Sequence, residues 1–231
     1  MQIESPSNQT EVIPAISTTI EVVVYDFLKR GLDILGSLVG IILFSPFMLI
    51  TACLIKLDSV GPVLADTPMR VGRNGKLFKM YKFRSMVVGA HAMLQQDPKL
   101  LKQYKQNSYK IHDDPRVTNI GKFIRKVSID ELPQFFNILN GDMSLVGPRA
   151  YYPDELREQQ EKYPSTKEFV KIILQAKPGL TGVWQISGRS EINFDKRVEM
   201  DAAYVLKKSI FYDLWTILKT IPAVILAKGA I

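Results

Sequence analysis

The stretch ILGSLVGIILFSPFMLITACLI, residues 34–55, contains 22 residues and no charged side chain. Because a helix of about 20 apolar residues spans a bilayer, this stretch is long enough to cross one. Ser45 and Pro46 lie near its middle, where proline removes a backbone donor and clashes with the preceding turn. The arms on either side would each rise only ~14–17 Å at about 1.5 Å per residue, roughly half the hydrocarbon thickness. The sequence therefore predicts a membrane-embedded helix that is broken at Ser45-Pro46.

Two topologies are compatible with such a broken helix: a kinked helix that spans the bilayer, and a re-entrant hairpin whose ends return to one face. Lys29 and Arg30 precede the stretch and Lys56 follows it, so both flanks are basic. The positive-inside rule places basic flanks on the cytoplasmic side and so favours re-entry, although composition by itself leaves both topologies open. A lipoprotein cleavage box at Ile50–Cys53 is disfavoured, because such a leader normally lies at the very N-terminus.

The length and charge of the chain bound its class. At 231 residues it can hold one ordinary domain plus an attachment. Thirty Lys and Arg against 23 Asp and Glu give +7, which suits phosphorylated lipids, nucleotide sugars or an anionic membrane face. Basic residues alternate with acidic ones and no nucleic-acid-binding motif is found, so nucleic acid is not an expected partner. Cys53 is the only cysteine, which excludes an intrachain disulfide and suits a reducing cytoplasm.

The chain divides into three parts on this basis. Residues 1–24 carry no Lys or Arg and are expected to form a flexible tail. Residues 25–57 form the membrane-embedded broken helix. Residues 58–231 form an α+β domain, mostly short helices with a small β-hairpin. Charged residues interrupt the apolar side chains of residues 211–219, which favours a C-terminal amphipathic helix on the membrane surface, with an ordinary core-facing helix as the alternative.

Local patterns predict the elements of the domain. Asn74 and Gly75 suit the positive φ angles of a type I′ turn, so we expect a hairpin there. The predicted strands are residues 70–72, 77–83 and 183–186, and the predicted helices are residues 90–104 apart from Asp97-Pro98, 121–127, 131–139 and 195–207.

Two adjacent carboxylates, Asp130 and Glu131, follow the basic run of residues 122–126. Ser128 lies three residues before Glu131, the spacing of a capping box, and Pro133 is tolerated in a first turn. A helix is therefore expected to start here. One interpretation of the pair is structural, because the positive end of a helix favours acidic residues. The other is phosphate chemistry.

Four further motifs accompany this pair: KMYKFRSM at residues 79–86, LVGPR at 145–149, KPGLTG at 177–182 and SGR at 187–189. In this order, behind a hydrophobic segment, they resemble the bacterial sugar transferases, the monotopic phosphoglycosyl transferases. The resemblance covers about residues 29–219. Family members carry a Ser-Pro break at the matching place and enter one leaflet. The resemblance therefore implies a re-entrant helix and a monotopic protein on the cytoplasmic face of the bacterial inner membrane.

The chemistry of such a reaction needs a nucleophile and groups that bind phosphate. Asp130 can be that nucleophile, because Arg125 and Lys126 should keep it ionised and a carboxylate that attacks phosphorus gives a reactive acyl phosphate. Glu131 is left for proton transfer or metal binding. The resemblance implies the same roles: the aspartate attacks the β-phosphate of a UDP-sugar, UMP leaves, and polyprenyl (undecaprenyl) phosphate takes the sugar 1-phosphate as the first membrane step of surface glycan synthesis.

Magnesium is the expected cofactor, because Mg²⁺ is a hard cation that binds one or two carboxylates together with substrate phosphates. The expected ligands are Asp130, Glu131 and Asp201. Asp201 matches a family aspartate and is expected to help the metal or the nucleotide. Its structural alternative is a solvated helix carboxylate.

The expected substrate-binding residues are basic side chains and the small residues beside them. Guanidinium groups bind phosphate oxygens bidentately, and a small residue lets backbone approach a ligand. The phosphate-binding set on this ground is Arg125, Arg149, Ser187, Gly188 and Arg189. A second set is expected either to steer the anionic lipid head group or to lie on a basic surface facing it: Lys79, Lys82 and Arg84.

Two departures from the family pattern limit what is carried over. Many members have proline where this chain has Ala150, and many have an Arg-Gln pair where this chain has residues 65–69. The alternative to an enzyme is a non-enzymatic membrane scaffold whose basic face recruits anionic lipids or glycan-assembly partners. Release of UMP would separate the two. The sequence does not reveal the sugar, and it leaves a homodimer open.

Overall fold

The computed structural model describes residues 19–107, 109, 111–188 and 192–225. As predicted, this part of the chain is mostly helical, with small sheets. The helices are α1 (Thr19–Asp58), α2 (Ala90–Gln96), α3 (Pro98–Gln106), α4 (Asn119–Lys126), α5 (Gln134–Asn140), α6 (Pro153–Lys162), α7 (Lys167–Ile173), α8 (Val183–Ser187), α9 (Phe194–Lys207) and α10 (Ile210–Ile225). The strands are β1 (Arg70–Val71), β2 (Leu77–Phe78), β3 (Ser144–Val146) and β4 (Gly179–Thr181). Short 3-10 turns span Arg73–Gly75, Ile129–Glu131 and Pro164–Thr166.

The first helix is longer and more continuous than the sequence predicts. It begins at Thr19 and runs to Asp58 with Pro46 inside it, so the expected break into two helical arms is not seen. The Ser45 hydroxyl donates to the Ile42 carbonyl at 2.9 Å, within the same turn. The helix is long and apolar enough to cross a membrane. Re-entry stays a prediction, and the predicted tail lies outside the described residues except for its last six positions.

One face of α1 packs closely against the domain. Asp33, Ser37 and Gly40 recur at helical spacing and are buried. A Cβ atom on Gly40 would lie 2.6 Å from the Phe135 ring, so glycine is needed for α1 to approach α5 this closely. The remaining surface of α1 exposes large apolar side chains, among them Leu35, Val39, Ile42, Leu43, Phe47, Leu49 and Ile50. A water-soluble surface rarely carries such a continuous apolar patch.

Two small sheets frame the domain. β1 and β2 are antiparallel, with Arg70 opposite Phe78, and the turn between them has φ of 56° at Asn74 and 77° at Gly75. The predicted hairpin is therefore confirmed. β3 and β4 pair in parallel, a contact between segments more than thirty residues apart that the sequence did not predict.

The predicted strand at residues 183–186 is wrong, because these residues form α8. The preceding segment, β4, pairs with β3, and the chain then turns at Gly182. The Gly182 carbonyl accepts the N–H of Gln185 at 3.0 Å, which starts the helix. A short apolar run is compatible with a strand or a helix. Here residues 179–181 already pair with β3, so that pairing position is not open to residues 183–186.

The last helix, α10, has a buried polar face and an exposed apolar face. Asp213 is fully buried and forms an ion pair with Lys29 at 3.1 Å. It also accepts hydrogen bonds from the hydroxyls of Tyr25 at 3.0 Å and Tyr204 at 2.6 Å. This polar network joins α1, α9 and α10. The large apolar residues exposed on α10 include Phe211, Leu214, Trp215, Leu218 and Ile221.

Candidate active site

Asp130 and Glu131 lie on the 3-10 turn between α4 and α5. The turn is not the start of a long helix, since α5 begins only at Gln134. Ser128 has φ of 58°, in the left-handed region, and its side chain caps nothing, so the predicted capping box is wrong. The Ser128 carbonyl instead accepts the N–H of Glu131 at 3.2 Å. Turn geometry holds the acidic pair in place.

Lys82 is the cation that both carboxylates share. Its ammonium group lies 2.6 Å from Glu131 Oε1 and 3.6 Å from Asp130 Oδ2. The Phe83 N–H donates to the Asp130 carbonyl at 2.9 Å, so the backbone ties the same segment to the turn. The structure thus places Lys82 on the acidic pair rather than on a separate basic surface.

Asn137 positions the segment that carries Lys82. It is fully buried on α5, where its Oδ1 accepts the N–H of Tyr81 at 2.8 Å and its Nδ2 donates to the Lys79 carbonyl at 2.8 Å. Our sequence analysis missed this residue. A single asparagine in a predicted helix gives no signal, because asparagine is mostly exposed in such a place.

The charges around Glu131 favour its ionised form. Burial alone would raise the pKa of the Glu131 carboxyl. The ammonium of Lys82, with smaller effects from Arg149 and Arg70, outweighs burial and holds this pKa below its usual value. Glu131 is therefore a carboxylate paired with Lys82.

Burial dominates at Asp130. The side chain is only 10% exposed, and removal from water raises the pKa of its carboxyl above the usual value. Lys82 acts against this rise, Glu131 adds to it, and Arg125 is a smaller opposing charge. The expectation that basic neighbours keep Asp130 readily ionised is therefore incomplete, and Lys126 is exposed. A desolvated carboxylate with one weak ion pair is a more reactive nucleophile than a solvated one.

The loop from Gly147 to Arg149 is fixed by close backbone contacts. A Cβ atom on Gly147 would lie 2.3 Å from the Lys177 carbonyl oxygen. The Gly179 N–H donates to the Pro148 carbonyl at 2.9 Å. The sequence predicts that a small residue here lets backbone approach a ligand, whereas the group that approaches Gly147 in the structure is backbone from the KPGLTG motif. The two motifs therefore pack together and hold Arg149.

Asp201 contacts this loop. It is buried, its Oδ2 accepts the N–H of Arg149 at 3.0 Å, and burial raises the pKa of its carboxyl to about 7. The alternative of a solvated helix carboxylate is wrong. Within the described ranges no three His, Cys, Asp or Glu side chains converge, so Asp201 does not join Asp130 and Glu131 in one group. A role of Asp201 toward a metal stays a prediction.

The acidic pair alone fits magnesium. Its oxygens are hard ligands, and both carboxylates already lie within 3.6 Å of one cation, the Lys82 ammonium. Because Mg²⁺ takes one or two carboxylates and completes its shell with water and substrate phosphates, two protein carboxylates suffice.

The structure gives Arg84 a different place from the predicted one. Arg84 is buried, and its guanidinium donates to the Pro62 carbonyl at 2.6 Å and to the hydroxyl and carbonyl of Ser59 at 2.6 and 2.8 Å. It ties the end of α1 to the domain, so its donors face the protein instead of a substrate. Lys79 forms an exposed ion pair with Asp66 at 2.9 Å, which agrees with the basic-surface alternative.

The SGR motif is described only in part. Ser187 ends α8, and Gly188 has φ of 148°, a conformation that favours glycine. Arg189 lies outside the described residues, so its predicted role stays a prediction. Arg125 lies in the last turn of α4, and its charge opposes the rise that burial causes in the pKa of Asp130.

Two buried arginines near the site were missed from the sequence. Arg70 is 7% exposed and stacks on the Tyr152 ring, with its guanidinium carbon 3.3 Å from the ring centre. Arg197 is 5% exposed and lies over Trp184 at 4.8 Å. The sequence shows them only as ordinary basic residues, although Arg197 precedes Asp201 by one helical turn on α9.

Known proteins support the resemblance. The family model described as bacterial sugar transferase matches residues 24–227. The galactosyl transferase CpsE of Streptococcus agalactiae serotype III (strain NEM316) is 47% identical over 203 residues, 87% of this chain and 43% of that protein. The undecaprenyl-phosphate galactose phosphotransferase of Salmonella typhimurium (strain LT2) is 43% identical over 208 residues, 88% of this chain and 42% of that protein.

A shorter relative matches along most of its length. The exopolysaccharide production protein ExoY of Rhizobium meliloti (strain 1021) is 42% identical over 206 residues, which make up 87% of each chain. The chain thus spans less than half of the two longer relatives and most of this one. The family match covers the acidic turn, Lys82 and the Gly147–Arg149 loop. On this evidence, the chain belongs to the bacterial sugar transferase family.

Proposed function

We propose that this chain is a phosphoglycosyl transferase that moves a sugar 1-phosphate from a UDP-sugar to undecaprenyl phosphate and releases UMP. The observation that carries the proposal is the buried Asp130, which shares Lys82 with Glu131 in a member of this family. The names of relatives point the same way, since one of them is an undecaprenyl-phosphate galactose phosphotransferase.

The reaction has two halves. An Asp130 carboxylate oxygen attacks the β-phosphorus of the UDP-sugar. The bond from that phosphorus to the bridging oxygen breaks, and UMP leaves with its electron pair. A phosphate oxygen of undecaprenyl phosphate then attacks the same phosphorus, which frees the Asp130 carboxylate and gives an undecaprenyl-diphosphate-linked sugar. Each half is a displacement that leaves the charge on a phosphate or a carboxylate.

The contacts of the acidic pair support different roles for its two carboxylates. Glu131 accepts the short hydrogen bond from Lys82, at 2.6 Å, while Asp130 is 3.6 Å away and more deeply buried. The less tightly paired carboxylate is the better nucleophile, so Asp130 attacks. When bound by Asp130 and Glu131, magnesium supplies positive charge that screens the phosphates. Lys82, Arg125 and Arg149 supply further charge for the same oxygens.

The membrane setting belongs to the proposal. The apolar surfaces that α1 and α10 expose would enter the cytoplasmic leaflet of the bacterial inner membrane, where the undecaprenyl chain resides. Arg30, which the sequence suggested as a flanking charge, donates instead to the Ile138 and Leu139 carbonyls at 2.6 and 2.7 Å. The proposal that α1 is re-entrant therefore rests on Pro46 and on the family likeness more than on the basic residues that flank the apolar stretch.

Cysteine labelling in intact cells tests this topology. Cys53 is first replaced by serine, and single cysteines are placed in the N-terminal tail and at Lys99 in α3. A re-entrant helix leaves both sites unlabelled from outside, and replacement of Ser45 and Pro46 by leucine should expose the tail. External labelling of the tail without that replacement would show that α1 spans the membrane.

Intact-protein mass spectrometry tests the chemistry. The protein is incubated with a UDP-sugar alone, quenched rapidly and weighed, and UMP is measured in parallel for a panel of UDP-sugars. The proposal expects UMP release with one sugar phosphate added to the peptide that contains Asp130. Asp130→Asn should lose both signals. Glu131→Gln keeps the carboxylate of Asp130 and is the matched control, expected to turn over slowly.

Initial rates over a grid of both substrates complete the test. A covalent intermediate gives parallel double-reciprocal lines. Intersecting lines without a mass adduct would show direct attack by the lipid phosphate in a ternary complex. The absence of UMP release with every donor would favour the non-enzymatic scaffold.

A further inference from the structure

A buried carboxylate on α1 binds the strand that leads into the Gly147–Arg149 loop. Asp33 is 2% exposed, and its Oδ1 accepts the Ser144 hydroxyl at 2.9 Å and the Leu145 N–H at 2.9 Å. Both partners belong to β3, which ends directly before the loop. The helix α1, whose opposite face is apolar and exposed, is therefore hydrogen bonded to the backbone that precedes this loop.

The Tyr204 hydroxyl connects the end of β3 to α10. It donates to Asp213 Oδ1 at 2.6 Å and lies 3.2 Å from the Val146 carbonyl oxygen. Lys29 joins this contact to the first one, because its ammonium group lies 3.1 Å from Asp213 and 3.6 Å from Asp33. Polar side chains of α1 and α10 thus reach β3 together.

The loop after β3 is held by other segments of the domain. The Gly147 N–H donates to the Thr181 carbonyl at 3.0 Å, and the Arg149 N–H donates to Asp201 Oδ2 at 3.0 Å. Leu145 lies two residues before Gly147, about 7 Å along an extended strand. A shift of β3 at Leu145 therefore moves the start of the loop and, with it, Arg149.

A buried carboxylate is a costly way to attach a helix, because removal of its charge from water is offset only by hydrogen bonds and ion pairs. Apolar packing already attaches α1, since Gly36 and Gly40 lie directly against the side chains of Leu145 and Phe135. Such packing does not provide an acceptor of fixed direction for the Leu145 N–H. Asp33 provides that acceptor and so fixes the place of β3 relative to α1.

We propose that Asp33 is a positioning residue, which sets the place of Arg149 by holding β3. Asp33 acts on the reaction through Arg149 and not by contact with the substrate. Because Arg149 supplies charge for the phosphate oxygens in the proposed reaction, the inference rests on the proposed function. A displacement of Arg149 by about 1 Å weakens its interaction with the transition state and lowers turnover by about tenfold or more.

Two substitutions of Asp33 separate its hydrogen bonds from its charge. Asp33→Asn keeps an acceptor oxygen for β3, whereas Asp33→Ala removes it. The rate of UMP release with undecaprenyl phosphate is measured on the full chain in lipid nanodiscs, well below the melting temperature of each variant. We expect Asp33→Ala to lower kcat about tenfold or more, with the KM for the UDP-sugar within about threefold, and Asp33→Asn to restore most of kcat. The control is Asp26→Ala on the same helix, which removes partly exposed ion pairs with Arg73 and Lys208 and should keep kcat within about twofold.

Hydrogen exchange tests the contact without any substrate. Peptides that cover residues 143–150 are followed by mass spectrometry in the same nanodiscs. Asp33→Ala should speed exchange in this segment about tenfold, because the Leu145 N–H loses its buried acceptor, and Asp33→Asn should stay within about threefold of the unsubstituted protein. If the unsubstituted protein releases no UMP with any donor, the proposed function fails, whereas the exchange result still shows whether Asp33 holds β3.

Unchanged kcat in a folded Asp33→Ala variant of an active enzyme overturns the inference and leaves the proposed function intact. Equal losses of kcat in Asp33→Ala and Asp33→Asn overturn it too, because the charge of Asp33 would then matter and not its hydrogen bonds. A fall in kcat without faster exchange has the same consequence. If Asp33→Ala does not fold, Ser144→Ala is scored: it removes one of the two hydrogen bonds to Asp33, so kcat should fall about threefold or more, and unchanged kcat overturns the assignment.

Discussion

Asn137→Leu is the most informative perturbation of the site, because Asn137 holds the segment that carries Lys82. Leucine has nearly the same volume but cannot hydrogen bond, so the Tyr81 N–H and the Lys79 carbonyl lose their partners in a fully buried place. Each unpaired buried group costs about 1–3 kcal/mol, so we expect a loss of about 3 kcal/mol in the free energy of unfolding. For a chain of this length that loss lowers the melting temperature by about 6–12 °C.

The same change should slow the enzyme, because a shift of about 1 Å in the Lys82 segment reduces turnover by tenfold or more. Melting is followed at one scan rate in nanodiscs, and UMP release is measured below the melting temperature. Lys79→Ala is the matched control for stability: it keeps the Lys79 carbonyl and removes only an exposed ion pair, so melting should shift by about 2 °C or less. If Asn137→Leu melted like this control, Asn137 would not position the segment.

Lys82→Met should move the acid limb of the pH profile of UMP release to higher pH, because burial already raises the pKa of Asp130 and Lys82 is the main charge that opposes the rise. Rates of UMP release from about pH 5 to 9 test this. An unmoved acid limb would exclude Asp130 as the group that must ionise. Gly147→Ala should destabilise the protein by about 2 kcal/mol or more, because its Cβ would lie 2.3 Å from the Lys177 carbonyl oxygen. Gly31→Ala, which meets nothing within 4 Å, should melt at the same or a higher temperature. Excess chelator should abolish UMP release and added Mg²⁺ restore it, and full activity in chelator would remove the metal from the mechanism.

Sequence patterns predicted the helices and turns that neighbouring residues determine. The Asn74-Gly75 hairpin, the separation of two helices at Asp97-Pro98 and the predicted helix of residues 195–207, which the structure begins at Phe194, follow from backbone preferences and apolar spacing that the neighbouring residues carry. Asp97 accepts the N–H groups of Lys99 and Leu100 and so starts α3. Two of the failed predictions have an identifiable physical reason. The apolar residues 183–186 form α8 instead of a strand, because β4 already pairs with β3. Ser128 has a left-handed backbone conformation that is incompatible with a capping box.

The sequence by itself determined that this chain has an apolar helix long enough for a membrane, an acidic pair behind a basic run, and the motif order of its family. Only the tertiary structure decided which cation serves the pair, since Lys82 and Glu131 are 49 residues apart. It also decided that Arg84 holds α1 while Arg70 and Arg197 lie buried near the site. A basic residue looks the same in a sequence whether it is solvated or buried. Whether it is solvated or buried depends on contacts between distant segments.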